Sequence, residues 1–86
     1  MDINQLITIV KKKITSQVIL EEIIIEDKSH LHKNHKGTEK GKFHLKIFIK
    51  SNNLKSLSKI DSNKKIYKIL NEEMKTYIHS LQILVS

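Results

Sequence analysis

Apolar residues open the chain at helical spacing. Ile3, Leu6, Ile7, Val10 and Ile14 fall on the i, i+3, i+4 rows of one face. Asp2, with Gln5 behind it, forms the capping-box pair that starts such a helix. Lys11, Lys12 and Lys13 sit toward its end, where cations suit the helix dipole. Val18–Ile25 is rich in β-branched residues and predicts a strand. Residues 27–42 are polar, carry Gly37 and Gly41, and predict a long loop, a length that is usually functional or disordered. The pattern then switches to period two. Phe43, Leu45, Ile47 and Ile49 alternate with His44, Lys46 and Lys50, which predicts a half-buried strand with Phe48 as the exception. Leu54, Leu57 and Ile60 suggest a short helix over Asn53–Ile60, and Asp61-Ser62-Asn63 supplies N-cap candidates for a longer one bearing Ile66, Ile69, Leu70 and Tyr77. Ile78–Val85 alternates loosely and closes the chain as a strand. The order αββααβ implies an α+β fold: a small mixed three-stranded sheet with helices on one face.

With 86 residues, no proline and no dividing linker, the chain is expected to form one domain over 1–86. It has no Cys, so thiolate ligation, thiol nucleophiles and disulfides are excluded, in keeping with a reducing cytoplasmic setting. Its first residues lack the basic and apolar regions of a signal peptide. No apolar run approaches the about 20 residues that span a bilayer, so no membrane partner is expected. The net charge is +7 and every basic residue is Lys. That favours anionic partners in general, while the lack of Arg removes the usual bidentate reader of guanine and phosphate. A solvated lysine surface explains the same charge.

Histidine is the residue type with most chemistry to offer. His30, His32 and His35 cluster in the long loop, His44 reads as the exposed residue of a strand, and His79 stands at the start of the last strand. Neutral imidazole is a common metal ligand and titrates near physiological pH. For His79, capping of the preceding helix and a functional role are equally compatible with the spacing. Other combinations are weak. Asp27, Ser29 and His30 are adjacent in sequence, which is not triad geometry. Glu21-Glu22 and Glu72-Glu73 read as solvated faces, and there is no glycine-rich phosphate loop. Nothing in the pattern points to an enzyme.

The ordered set Asp27-Lys-Ser29-His-Leu-His32-Lys-Asn-His35-Lys-Gly37, His44-Leu45-Lys-Ile47, Ile66-Tyr67-x-x-Leu70-x-x-Glu73-Met74 and Ile78-His79-Ser80-Leu81 resembles the BolA-like proteins, over residues 3–84. The resemblance implies an αββααβ fold related to the type II KH domain. It also implies a heterodimer with a monothiol glutaredoxin around a bridging 2Fe–2S cluster, the partner supplying a cysteine and a glutathione thiol. His79 matches the family's C-terminal histidine ligand. The second ligand in the family is a His or Cys of the loop between the first two strands; with no Cys here, His32 is the first choice and His35 the second. No cofactor is expected in the isolated chain, which is expected to be monomeric.

Three departures stand out: the family's R-H-R reads Ser62-Asn63-Lys64, its F-x-G reads Leu54-Lys55-Ser56, and I-H-A-L-S reads Ile78-His79-Ser80-Leu81-Gln82. The first removes arginines and an imidazole from a region linked to nucleic-acid contact or docking, and a KH-type G-x-x-G clamp is also missing. The alternative function is a nucleic-acid-binding transcriptional regulator, with DNA met by Lys64, Lys65 and Lys68. A third reading keeps the fold and leaves the histidines to adventitious Zn²⁺ or Cu²⁺, or makes the chain an interaction module alone.

Overall fold

The computed structural model describes residues 1–29 and 42–86; His30, His32 and His35, and most of the loop expected over 27–42, lie outside the described residues. The described elements run α1 (Ile3–Gln17), β1 (Glu22–Asp27), β2 (Phe43–Lys50), α2 (Asn52–Lys55), α3 (Lys59–Ile69), α4 (Asn71–Thr76) and β3 (Ile78–Val85). The sheet has three strands in the order β1-β2-β3, with β1 antiparallel and β3 parallel to the central β2. This is the expected α+β fold with a mixed sheet. The parallel β2–β3 pair requires a crossover connection, and α2, α3 and α4 provide it.

Local chemistry explains the elements and corrects several expected boundaries. The capping box forms as expected, with Gln5 N–H bonding Asp2 Oδ1 and Asp2 N–H bonding Gln5 Oε1. Val18 ends α1 rather than opening a strand, because its N–H still bonds Ile14 O. Residues 19–21 are then tied elsewhere: Ser51 Oγ donates to Ile19 O and Glu21 N–H to Lys50 O. Strand pairing therefore starts at Glu22 and runs through Asp27. The short helix is only Asn52–Lys55, capped by the fully buried Ser51. Ser58, not Asp61, Ser62 or Asn63, caps α3, its Oγ accepting from Asp61 N–H. The expected long helix is two helices. At Leu70 (φ −97°, ψ 18°) the backbone leaves the helical well while the side chain stays in the core.

One face of the sheet carries the core. Leu45, Ile47 and Ile49 of β2, Ile23 of β1, and Ile78, Leu81 and Ile83 of β3 pack with Leu6, Val10 and Ile14 of α1 and with Leu54, Ile66 and Leu70. The opposite face bears Glu22, Ile24 and Glu26, then His44, Lys46, Phe48 and Lys50, then Gln82 and Leu84. Phe48, the break in the alternation, is half-buried on this face with Lys46 Nζ 4.9 Å from its ring centroid. Of the Glu72-Glu73 pair only Glu72 is solvated as expected. Glu73 is buried and accepts a 2.6 Å hydrogen bond from Lys13 Nζ, with Glu72 at 3.6 Å. Lys13 thus clamps α1 to α4 rather than serving the helix terminus. Among the described residues no helix is long and apolar enough to cross a membrane.

Candidate functional site at the start of the last strand

The loose alternation of β3 has a specific cause. Phe43 pairs with Ile78 and His44 with Ser80, so His79 is an extra residue inserted into the ladder. A bulge of this kind re-aims the side chains around it. Ile78 and Leu81 are both buried, and His79 and Ser80 between them are both exposed. A regular strand would have sent His79 and Leu81 to the same face.

His79 has an imidazole neighbour from the adjacent strand. The His44 and His79 ring centroids are 5.0 Å apart at an interplanar angle of 64°, an edge-to-face contact. His44 is not the exposed strand residue expected from alternation: it is 4% exposed. Its Nδ1 lies 2.6 Å from Ser80 Oγ, a hydrogen bond whose direction follows the tautomer. Its backbone is also held: His44 N–H donates to Ser29 Oγ at 3.0 Å, and Lys28 N–H donates to His44 O at 2.7 Å. Ser29 N–H in turn donates to Asp27 Oδ1 at 2.9 Å. Asp27 and Ser29 thus form a turn that docks the end of β1 on His44, and not a nucleophilic triad. On the other side, Phe43 N–H donates to Tyr77 O, which fixes the entry into β3. Helix α4 ends at Tyr77, whose own N–H bonds Glu73 O, and His79 stands beyond it in the strand.

The structure therefore brings together His79, His44, Ser80 and Ser29. Alternation alone hid His44 and Ser80, because they meet across a parallel pair separated by 36 positions in sequence. The small hydroxyl immediately after His79 was the one local signal. Among the described residues no group of three or more His, Asp or Glu side chains is placed to hold a metal ion. What they offer is a braced, solvent-facing imidazole. The lysines proposed for nucleic acid stand apart from it: Lys64, Lys65 and Lys68 are exposed on α3, and Lys65 and Lys68 border a shallow depression with Gln17 and Ile69.

Comparison with known proteins agrees with the fold. A curated protein of Haemophilus influenzae, named DNA-binding transcriptional regulator BolA, is 35% identical over 75 residues, which are 87% of this chain and 70% of that protein. Among solved structures, the BolA domain of SufE1 from Arabidopsis thaliana superposes with a TM-score of 0.77 at 25% identity, covering 92% of this chain and 87% of that one. BolA1 of Mus musculus shares the fold at a TM-score of 0.72 and 17% identity, over 90% of this chain and 60% of that one. The family model described as BolA-like protein matches residues 14–86, which take in all three strands and the bulged histidine. The chain belongs to the BolA-like protein family.

Proposed function

We propose that this chain partners a monothiol glutaredoxin and shares with it a bridging 2Fe–2S cluster, in cluster assembly or trafficking or in iron and redox regulation. The observation that carries the reading is His79, exposed at a bulge and braced by the His44 ring. The donor chemistry fits a shared cluster rather than a complete one. Such clusters are held by thiolates, with imidazole in place of thiolate in Rieske-type centres. This chain has histidines and no cysteine, so every thiolate must come from the partner protein and its glutathione. His32 or His35 would be the chain's second ligand. Ser29, three positions before His32 in the sequence, is tied to His44 beside the bulge.

The chain's own residues present and orient a ligand. The His44 ring packs on His79 and restricts its rotation, while Ser80 and Ser29 hold His44. This is the outer-shell support that ligating imidazoles generally have. When bound, the cluster would supply one-electron and iron–sulfur transfer chemistry, with imidazole ligation raising its potential relative to thiolate.

The test is reconstitution. The chain is mixed with a monothiol glutaredoxin, iron, sulfide and glutathione, and followed by size exclusion and visible circular dichroism. A heterodimer with a spectrum distinct from that of the glutaredoxin alone is expected, and His79→Ala should return the glutaredoxin-only spectrum. An unchanged spectrum and stability in His79→Ala would defeat the proposal.

The name of the Haemophilus relative supports a second reading, DNA binding, with the exposed Lys64, Lys65 and Lys68 as its phosphate contacts. Each lysine that meets a phosphate should contribute about 0.9 to the slope of log affinity against log salt. Replacing all three by Gln should flatten that slope. Binding that ignores both DNA sequence and these substitutions would reduce it to general cationic attraction.

A further inference from the structure

The far end of β3 is open in a different way. In a parallel pair, a residue's N–H and C=O point to one side and those of its neighbour to the other. Ser86 N–H bonds Ile49 O, so Leu84 and Ser86 face β2, and Ile83 and Val85 turn their backbone groups outward. Strand β3 ends the sheet order, so among the described residues no strand pairs with that side. At Leu81 the edge is already occupied, because Tyr67 Oη donates to Leu81 O at 2.8 Å. Beyond it, the edge at Ile83 and Val85 borders a groove walled by Leu54, Lys55, Leu57 and Lys59. Leu57 and Leu84 beside it are 40% and 38% exposed.

We infer that the β3 edge at Ile83–Val85 binds a short, extended, acidic segment of a partner protein as an added strand. Outward amide groups supply main-chain hydrogen bonds, and the leucines receive alternate apolar side chains. Charge selects the remainder. Among the described residues both charged groups in the groove wall are lysines and no carboxylate lines it; Asp61, in the first turn of α3 between Lys59 and Ser62, is not part of the wall. A second copy joined edge to edge would set these lysines against their own symmetry mates, which disfavours self-pairing. Single-stranded nucleic acid fits less well, since among the described residues the wall holds no aromatic ring on which a base would stack.

The probe is a short peptide alternating Glu and Val, titrated into the full ¹⁵N-labelled chain and read by amide shifts and exchange. The Ile83 and Val85 amides should shift and exchange more slowly. The exposed double change Lys55→Glu with Lys59→Glu should weaken binding about tenfold, and a Lys–Val peptide should not bind. His79→Ala should bind the peptide as the wild type does, which separates this site from the cluster proposal. The inference is overturned if those amides do not respond, or if the Lys–Val peptide binds equally. It is equally overturned if an oligonucleotide takes the same amides at lower concentration, or if raising protein concentration alone protects them.

Discussion

The two ends of β3 do opposite things with the same kind of residues. At the first end one inserted residue breaks the ladder, and Ile78-His79-Ser80-Leu81 reads in-out-out-in. At the second end the ladder is regular and Ile83-Leu84-Val85 keeps strict alternation, so what is offered is backbone, not a side chain. A bulge converts a strand into a holder for one specific group; a regular edge leaves a strand ready to pair. Both depend on β2, whose Leu45, Ile47 and Ile49 anchor β3 to the helical layer.

The largest effect is expected from the shared anchor. Ile47 is fully buried in the central strand, and Ile47→Ala should cost about 2–5 kcal/mol in urea unfolding. It should loosen β3 along its length, seen as faster exchange at Gln82 and Ser86 alike, whose N–H groups face β2. A substitution confined to the bulged end should separate them. His44→Ala removes a buried ring bonded to Ser80 and should cost about 1–3 kcal/mol. It should move the imidazole resonances of His79 while leaving the Ile83 and Val85 amides near their wild-type positions.

The clamp between α1 and α4 sets the ground from which β3 starts, and it adds a pH dependence. The hydrogen bond that Lys13 donates to Glu73, first among the causes, holds the Lys13 ammonium above its ordinary pKa of 10.5, partly opposed by desolvation. A raised folded-state pKa stabilises fully below the unfolded value and is lost as pH rises through the folded one. The melting temperature of the wild type should therefore fall more steeply above pH 10.5 than that of Lys13→Met. At neutral pH Lys13→Met should itself be less stable, because Glu73 is left buried without its cation. The smallest stability effect is expected at the proposed ligand: His79→Ala should change unfolding by no more than about 0.5 kcal/mol, as at other exposed positions.

Much of this arrangement was legible in the sequence. The period of Leu6, Val10 and Ile14, the alternation through β2, and the bounds of β3 follow from side-chain patterning, which is local. His79 stood out by its place after a helix and at the start of a strand. What the pattern could not carry was non-local. Glu73 meets a lysine 60 positions away, and His44 is buried by partners on β3 and beyond the end of β1. The bulge was visible only as imperfect alternation, because two outward residues in succession have the same pattern whether or not the ladder is broken. Ser58 was missed as a cap because Asp61, Ser62 and Asn63 compete for that role by composition, and only the turn at Ser56 decides between them.

The most direct test of the role given to His79 is a pulsed electron-paramagnetic-resonance measurement on the reduced complex with a glutaredoxin, with ¹⁵N-histidine in this chain alone. A nitrogen coupling that changes isotope with this chain's label and disappears in His79→Ala is the expected result. A reduced cluster with no coupling to this chain's histidines, or one that His79→Ala leaves untouched, would contradict it.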